Sequence, residues 1–332
     1  MDTDLNPVGA IGAGRMGRGI ALAFAAAGHP VTLFDLKPRG ADAFSALEAE
    51  ARAEIRRDLD FLTSVDVLDA SSVEAAMARI FVARRETAPS VLARAVLLFE
   101  GVPETLDAKR ECLAFLSEHV PSDCIIASTT STISPDILSP MVSKPQRFLN
   151  AHWLNPAHLM PLVELSPAAE TADETVARLR AILCTIGKVP VVCKGPGYII
   201  PRIQALAMNE AARMVEEGVA SAEDIDTAIR VGFGLRFAVL GLLEFIDWGG
   251  GDILHYASAF LAEHVGADRF AAPPIIGRNM VEKKRGLRDG AGFYNYAGVD
   301  VAAYRTRRLA DFVAMLRQRN LMPHFVRSEP KP

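Results

Sequence analysis

Two side chains able to move a proton stand twelve residues apart in HWLNPAHLMPLVEL (152–165): His152 and Glu164. An imidazole changes charge near neutral pH, so it can take a proton from a hydroxyl. A carboxylate bonded to its other ring nitrogen would fix the tautomer and stabilise the imidazolium that forms. Each residue alone has a plainer reading, His152 as a hydrogen-bonded structural histidine and Glu164 as a charge at a sheet edge. The pair gains meaning only if the chain also carries something for it to react with.

A second motif supplies that. Gly12-Ala13-Gly14-Arg15-Met16-Gly17 follows the apolar run VGAI (8–11) and opens the helical stretch GRGIALAFAAAG (17–28). A GxGxxG match is weak by itself and becomes specific between a strand and a helix. Gly12 allows the tight turn, Gly14 lets a pyrophosphate approach the backbone, and Gly17 lets the helix pack on the sheet with its amides facing the phosphates. Arg15 and Met16 complete the expected cofactor turn. Asp35 ends the next strand, eighteen residues past Gly17, where a carboxylate can take the adenosine ribose hydroxyls. It would repel a 2′-phosphate, which favours NAD over NADP, and Lys37 and Arg39 just beyond weaken that preference. Beside such a cofactor, His152 would take a hydroxyl proton while a hydride leaves for the nicotinamide.

These residues need a scaffold, and the hydrophobic pattern describes one. VTLF (31–34), VLLFEGV (96–102), CIIAST (124–129), RFLNAHW (147–153) and VPVVC (189–193) read as further strands, with helical stretches such as LDAKRECLAFLSEH (106–119) between several of them. That alternation implies an α/β, Rossmann-type doubly wound parallel sheet. Past KGPG (194–197) the strands stop and the chain reads as mostly α-helical. Pro196-Gly197 marks the expected boundary, since proline disfavours helix before it and glycine permits a redirection. The expected organisation is an NAD-binding domain over 1–194 and a helical substrate and dimerisation domain over 195–332.

Composition narrows the function classes. The 332 residues suit about two domains, half of them are hydrophobic, and the net charge is −4. A nucleic-acid surface would need a basic excess, so none is expected. Cys112, Cys124, Cys184 and Cys193 show no CxxC or metal spacing, which suits a reducing compartment. The histidines form no HExxH or other metal pattern, so no metal is expected. The acidic start MDTDLNPVGAIGAGR lacks a signal-peptide pattern, and no apolar run of 18 residues is present. The expectation is a cytoplasmic protein without a membrane partner.

Several further motifs, in order, resemble the 3-hydroxyacyl-CoA dehydrogenase family over almost the whole chain. Members carry a strand-end serine, a histidine in an H-x-x-N-P step and a glutamate twelve residues later; here these fall on Ser131, His152, Asn155, Pro156 and Glu164. The resemblance implies His152 as base and Glu164 as its orienting partner, with Ser131 and Asn155 holding the substrate oxygen or the histidine loop. FEGVPE (99–104) resembles the strand-end motif near the nicotinamide ribose, which implies Glu104, Lys109 and Thr129 as cofactor contacts. KGPGYIIPR (194–202) resembles the family's domain junction, and GLRDGAGFYNY (286–296) its glycine-rich segment near the C-terminus.

Two departures bear on the substrate. Pro201 stands where the family usually has asparagine, and proline offers neither an amide side chain nor a backbone donor. It requires the first turn of its helix. Arg236, in GFGLRFAVLGLLE (232–244), resembles instead the branch acting on small free hydroxy acids, such as the gulonate and carnitine dehydrogenases. A guanidinium can hold a carboxylate through two parallel hydrogen bonds, or pair with an acid at an interface. Arg52, Arg56 and Arg57 could meet CoA phosphates and could equally be a solvated helix face. The reading is therefore NAD-dependent oxidation of a 3-hydroxyacyl-CoA such as 3-hydroxybutyryl-CoA, with a free 3-hydroxy acid as the alternative. A homodimer is expected from the apolar faces of QALAMNEAARMV and VLGLLEFI. A catalytically lapsed NAD-binding protein is a third reading, which the joint presence of Ser131, His152, Asn155 and Glu164 disfavours.

Overall fold

The computed structural model describes residues 7–195 and 197–325. Pro196, at the expected boundary, lies outside these, as do the first six residues of the acidic start. The order of elements begins β1 (Val8–Ile11), α1 (Arg15–Ala26), β2 (Val31–Asp35), α2 (Ala41–Ser64), α3 (Ala70–Ala78) and β3 (Ile80–Arg84). It continues α4 (Ala88–Leu92), β4 (Leu97–Glu100), α5 (Leu106–His119), β5 (Ile125–Ser128), α6 (Pro135–Leu138) and β6 (Phe148–Trp153). Then come β7 (Leu162–Pro167), α7 (Asp173–Thr185), β8 (Val189–Val192) and the helix α8 (Ile200–Glu216). The chain ends in α9 (Ala222–Ala228), α10 (Gly234–Val239), α11 (Leu242–Gly249), α12 (Gly251–His264), α13 (Ala267–Phe270), α14 (Pro274–Val281) and α15 (Val301–Gln318). The residues form two compact units, Met1–Ala207 and Met208–Pro332.

The first unit holds an eight-stranded sheet in the order β3-β2-β1-β4-β5-β6-β7-β8. All neighbours are parallel except β6 and β7, which run antiparallel. Alternate residues of each central strand feed opposite cores. Val8 and Ala10, Leu97 and Phe99, and Ile125 and Ala127 pack on one face, while Ile11, Leu98 and Ile126 pack on the other. A sheet covered on both faces reads as continuous apolar runs, which is why VGAI and LLF were legible as strands. The doubly wound α/β architecture is as expected, with the order reversing at β1, beside β4; in such sheets ligands bind beyond the carboxyl ends of the strands at that point.

The list of strands from sequence lacked β3. Its IFVAR sits at the sheet edge with a broken burial pattern, only Ile80 and Ala83 being buried. Helix α2 is a 24-residue amphipathic element whose Ala51, Ile55, Leu59 and Leu62 are buried. That spacing of three and four keeps one face on the core.

The second unit is helical. The glycine-rich GLRDGAGFYNY wraps a buried carboxylate there. Asp247, 2% exposed on α11, accepts the backbone N–H groups of Phe293 and Tyr294 at 3.0 and 2.9 Å and the hydroxyl of Tyr296 at 3.2 Å. A carboxylate out of water needs such donors, and the tight chain path supplies them. Helix α12 leaves Ile253, Tyr256 and Phe260 exposed at 62, 66 and 60%. Their spacing of three and four puts them in one stripe.

Candidate active site

The glycine turn lies at the carboxyl end of β1. Gly12 takes φ +98°, and a Cβ on Gly17 would fall 2.0 Å from the Gly12 carbonyl oxygen, so only glycine lets α1 start against the turn. Gly14 precedes α1 in extended conformation, and nothing lies within 4 Å of a Cβ placed on it. The loop thus presents the amides of a helix N-terminus to open space, the arrangement a pyrophosphate requires. Arg15 is exposed, and Met16 packs against the core beneath.

A cleft of about 500 Å³ runs from this turn, lined among others by Gly14, Asp35, Arg39, Arg85 and Val102. Asp35 ends β2, is 4% exposed, and accepts the Nε–H of Arg39 at 2.5 Å. The carboxylate the ribose would need is therefore partly neutralised by a cation from the following loop. The cleft, the open glycine and the strand-end carboxylate fit the adenosine diphosphate half of NAD.

At the end of β4 the structure contains a buried charge network that sequence reasoning did not single out. Glu100, fully buried, receives the Ser128 hydroxyl at 2.5 Å, both contacts of the Lys109 ammonium at 3.1 Å and the Val102 N–H at 2.8 Å. Lys109 is 1% exposed and turns to Glu100 and, at 3.4 Å, to Glu104. It therefore supports the loop from below. The sequence signals were a glutamate closing the otherwise apolar LLFE and Lys109, which the family resemblance assigned to the cofactor. An uncompensated buried charge here would cost about 3–5 kcal/mol.

Glu104 organises the loop after β5. One of its oxygens, Oε1, accepts the hydroxyls of Thr130 and Thr132 and the N–H groups of Ser131 and Thr132. Burial pushes the Glu104 carboxyl up, but the Thr130 bond, the Lys109 charge and the Thr132 bonds hold it below its ordinary range. Thr129 donates its N–H to the Glu100 carbonyl at 2.7 Å. Ser131 sits exposed on this loop.

The twelve-residue spacing of His152 and Glu164 follows from the antiparallel pairing within the sheet. In β6 and β7 the partners run from Leu149↔Pro167 to Trp153↔Val163, with His152 directly opposite Glu164. Residues facing each other across such a pair project on the same side of the sheet. His152 Nδ1 lies 2.9 Å from Glu164 Oε2, with the two residues 8 and 0% exposed. A carboxylate can only accept, so facing one Nδ1 donates, and in a neutral imidazole the lone pair then sits on Nε2, which has no protein partner among the described residues. The other carboxylate oxygen, Oε1, accepts the N–H groups of Ile199 and Ile200 at 2.8 and 3.0 Å, at the start of α8.

Tyr198, another residue not found from sequence, stacks on the imidazole with ring centroids 4.7 Å apart and planes at 23°. Its hydroxyl donates to the Thr130 carbonyl at 2.8 Å. Asn155 is exposed on the loop between β6 and β7 and faces a pocket of about 350 Å³ shared with Arg15, Asp58 and His158. Pro201 is the second residue of α8, the first-turn position that proline requires.

In the second unit Arg236 lies on α10, just after a π-helical turn at Ile229–Phe233. Its guanidinium sits 4.9 Å from the centre of the Phe245 ring and makes no ion pair among the described residues. On α2 the cations are engaged differently: Arg52 pairs with Glu48, and Arg56 makes a two-pronged pair with Glu74. No helix among the described residues is long and apolar enough to cross a membrane.

The family model of the 3-hydroxyacyl-CoA dehydrogenase NAD-binding domain matches residues 7–195, and that of its C-terminal domain matches residues 197–296. The chain is 31% identical over 311 residues to the 5-formyl-3-hydroxy-2-methylpyridine 4-carboxylate 5-dehydrogenase of Mesorhizobium japonicum, covering 92% of this chain and 96% of that protein. It is 32% identical over 289 residues to the mitochondrial hydroxyacyl-coenzyme A dehydrogenase of Sus scrofa, covering 86% of this chain and 90% of that one. The crystal structure of a 3-hydroxyacyl-CoA dehydrogenase from Archaeoglobus fulgidus superposes with a TM-score of 0.74 at 32% identity, over 95% of this chain and 99% of that chain.

Proposed function

The chain belongs to the 3-hydroxyacyl-CoA dehydrogenase family and is an NAD-dependent dehydrogenase acting on a CH–OH group, and we propose that it oxidises a 3-hydroxyacyl-CoA of the 3-hydroxybutyryl-CoA kind to the 3-oxo product. The observation that carries the mechanism is the in-register His152–Glu164 pair with Nε2 unengaged. Bound NAD supplies the hydride acceptor. His152 takes the hydroxyl proton on Nε2 as the hydride leaves the same carbon. Glu164 holds the tautomer that makes this possible and stabilises the imidazolium. Ser131 and Asn155 hold the substrate oxygen or the histidine loop. Gly12, Gly14, Arg15, Met16, Gly17 and Asp35 bind the cofactor, while Glu104, Thr129 and Lys109 shape the loop at its nicotinamide end.

A second reading, a free 3-hydroxy carboxylic acid, is favoured by a specific observation. Arg236 has no acidic partner among the described residues, so its guanidinium is available for a carboxylate. Arg52 and Arg56, two of the cations that could meet CoA phosphates, pair instead with Glu48 and Glu74 on the helix surface. The Mesorhizobium relative carries a pyridine carboxylate in its name. NADH consumption with acetoacetyl-CoA and with free acetoacetate separates the two. The expected outcome is a kcat/KM preference for the thioester of ~100-fold, or about 2.7 kcal/mol of transition-state discrimination. A preference for the free acid would overturn the thioester reading and give Arg236 the substrate carboxylate.

The proposed organisation is the cofactor domain over residues 1–194 and a substrate and dimerisation domain over 195–332. The exposed Ile253, Tyr256 and Phe260 stripe supports a homodimer, since a row of large apolar side chains left in water marks a surface that a partner can cover. The expected mass by light scattering is twice the 35.8 kDa of one chain. Unpaired Cys112, Cys124, Cys184 and Cys193 suit a cytoplasmic location.

A further inference from the structure

We propose that Tyr198 is a positioning residue for the proposed base, holding the imidazole of His152 in the plane from which Nε2 meets the substrate hydroxyl; this rests on the reading of His152 as base. Three observations on different atoms converge on it. The phenol ring lies flat against the imidazole at 4.7 Å and 23°. Its hydroxyl is anchored to the Thr130 carbonyl at 2.8 Å, on the same loop that carries Ser131. The two peptide N–H groups that immediately follow, from Ile199 and Ile200, grip the far oxygen of Glu164.

The Nδ1–Oε2 bond alone leaves the ring free to tilt about the line joining the two residues. A flat neighbour removes that freedom, and the stacked partner must itself be fixed. Tyr198 is fixed twice: it is 7% exposed, and its backbone takes φ +51°, a conformation that packing has to enforce for a bulky side chain. Burial also pushes its phenol well above the ordinary range, so the hydroxyl keeps its proton and stays a donor to Thr130. One short segment, 198–200, therefore sets the face of the imidazole and the position of its carboxylate together. A misaligned proton acceptor slows the chemical step while leaving ground-state binding alone.

The test compares Tyr198→Ala, Tyr198→Leu and Tyr198→Phe with His152→Ala in the full-length protein, with acetoacetyl-CoA, or acetoacetate if that is preferred, and NADH. Expected results are a kcat loss of about 30-fold or more for Tyr198→Ala and Tyr198→Leu, with KM for NADH within twofold. Tyr198→Phe, which keeps the stacked ring, should recover activity to within about fivefold of wild type. Leucine fills most of the volume without a planar face, so it decides the question if the alanine variant misfolds. A Tyr198→Leu enzyme within threefold of wild type in kcat, beside an inactive His152→Ala, would overturn the proposal and leave the base assignment standing. A fully active His152→Ala would remove both. A loss in kcat for Tyr198→Phe as large as for leucine would mean that the Thr130 anchor, and not the stacked face, carries the effect, and would overturn the stacking role.

Discussion

Replacing His152 by alanine should lower kcat by about 10³-fold while NADH still binds. The size follows from what is lost. Without an acceptor at Nε2 the hydroxyl proton must leave to water, and positioned acid–base groups contribute about 10²–10⁴-fold. Cofactor binding should survive because the glycine turn, Asp35 and Arg39 lie at the ends of β1 and β2, away from β6. Some stability should go as well. Glu164 would keep the N–H groups of Ile199 and Ile200 but lose its third donor, a cost of about 1–3 kcal/mol for a carboxylate that is fully buried. NADH fluorescence titration and steady-state turnover separate the two effects. Turnover within tenfold of wild type in a variant that binds NADH normally would remove the proton-transfer mechanism.

What could be read from sequence and what could not divide along physical lines. The glycine turn was legible because backbone geometry forces a residue type: Gly17 can be nothing else with the Gly12 carbonyl 2.0 Å from a would-be Cβ. The histidine–glutamate pair was legible as a spacing, but its reason was not, since only the register His152↔Glu164 turns twelve residues into a facing pair. Strand β3 was missed because an edge strand buried at only two of five positions carries little period-two signal. The Glu100, Ser128 and Lys109 network was illegible for another reason. Its members come from β4, β5 and α5, so nothing local in the sequence links them. Lys109 illustrates the consequence: the resemblance pointed to the cofactor, and the ammonium reaches the buried Glu100 and the more exposed Glu104. Tyr198 likewise lies within a junction motif whose glycines and prolines carry the local signal, and its stacking on an imidazole 46 positions earlier emerges only in three dimensions.

Glu164→Gln should be at least as damaging as loss of the histidine, lowering kcat by about 10³–10⁴-fold with the fold intact. The amide is the same size as the carboxyl, so the cause would be its hydrogen. In the native protein Oε1 faces two donors, the N–H groups of Ile199 and Ile200, and Oε2 faces Nδ1. A glutamine must turn one end to each side. Presenting its NH₂ to two backbone N–H groups would leave three donors without acceptors, at about 1–3 kcal/mol for each buried group. Presenting its oxygen there instead satisfies both, so that orientation wins. Its NH₂ then faces His152, and Nδ1 must accept rather than donate. The imidazole proton is driven to Nε2, the one atom that has to be empty to receive the substrate's proton. The wrong tautomer is thus locked in by the start of α8. Because both substitutions disable one unit, the double variant His152→Ala/Glu164→Gln should be no slower than the slower single variant. Steady-state kcat for the three proteins measures this directly. Losses that multiply would mean that Glu164 acts elsewhere than through His152, and the dyad would have to be given up.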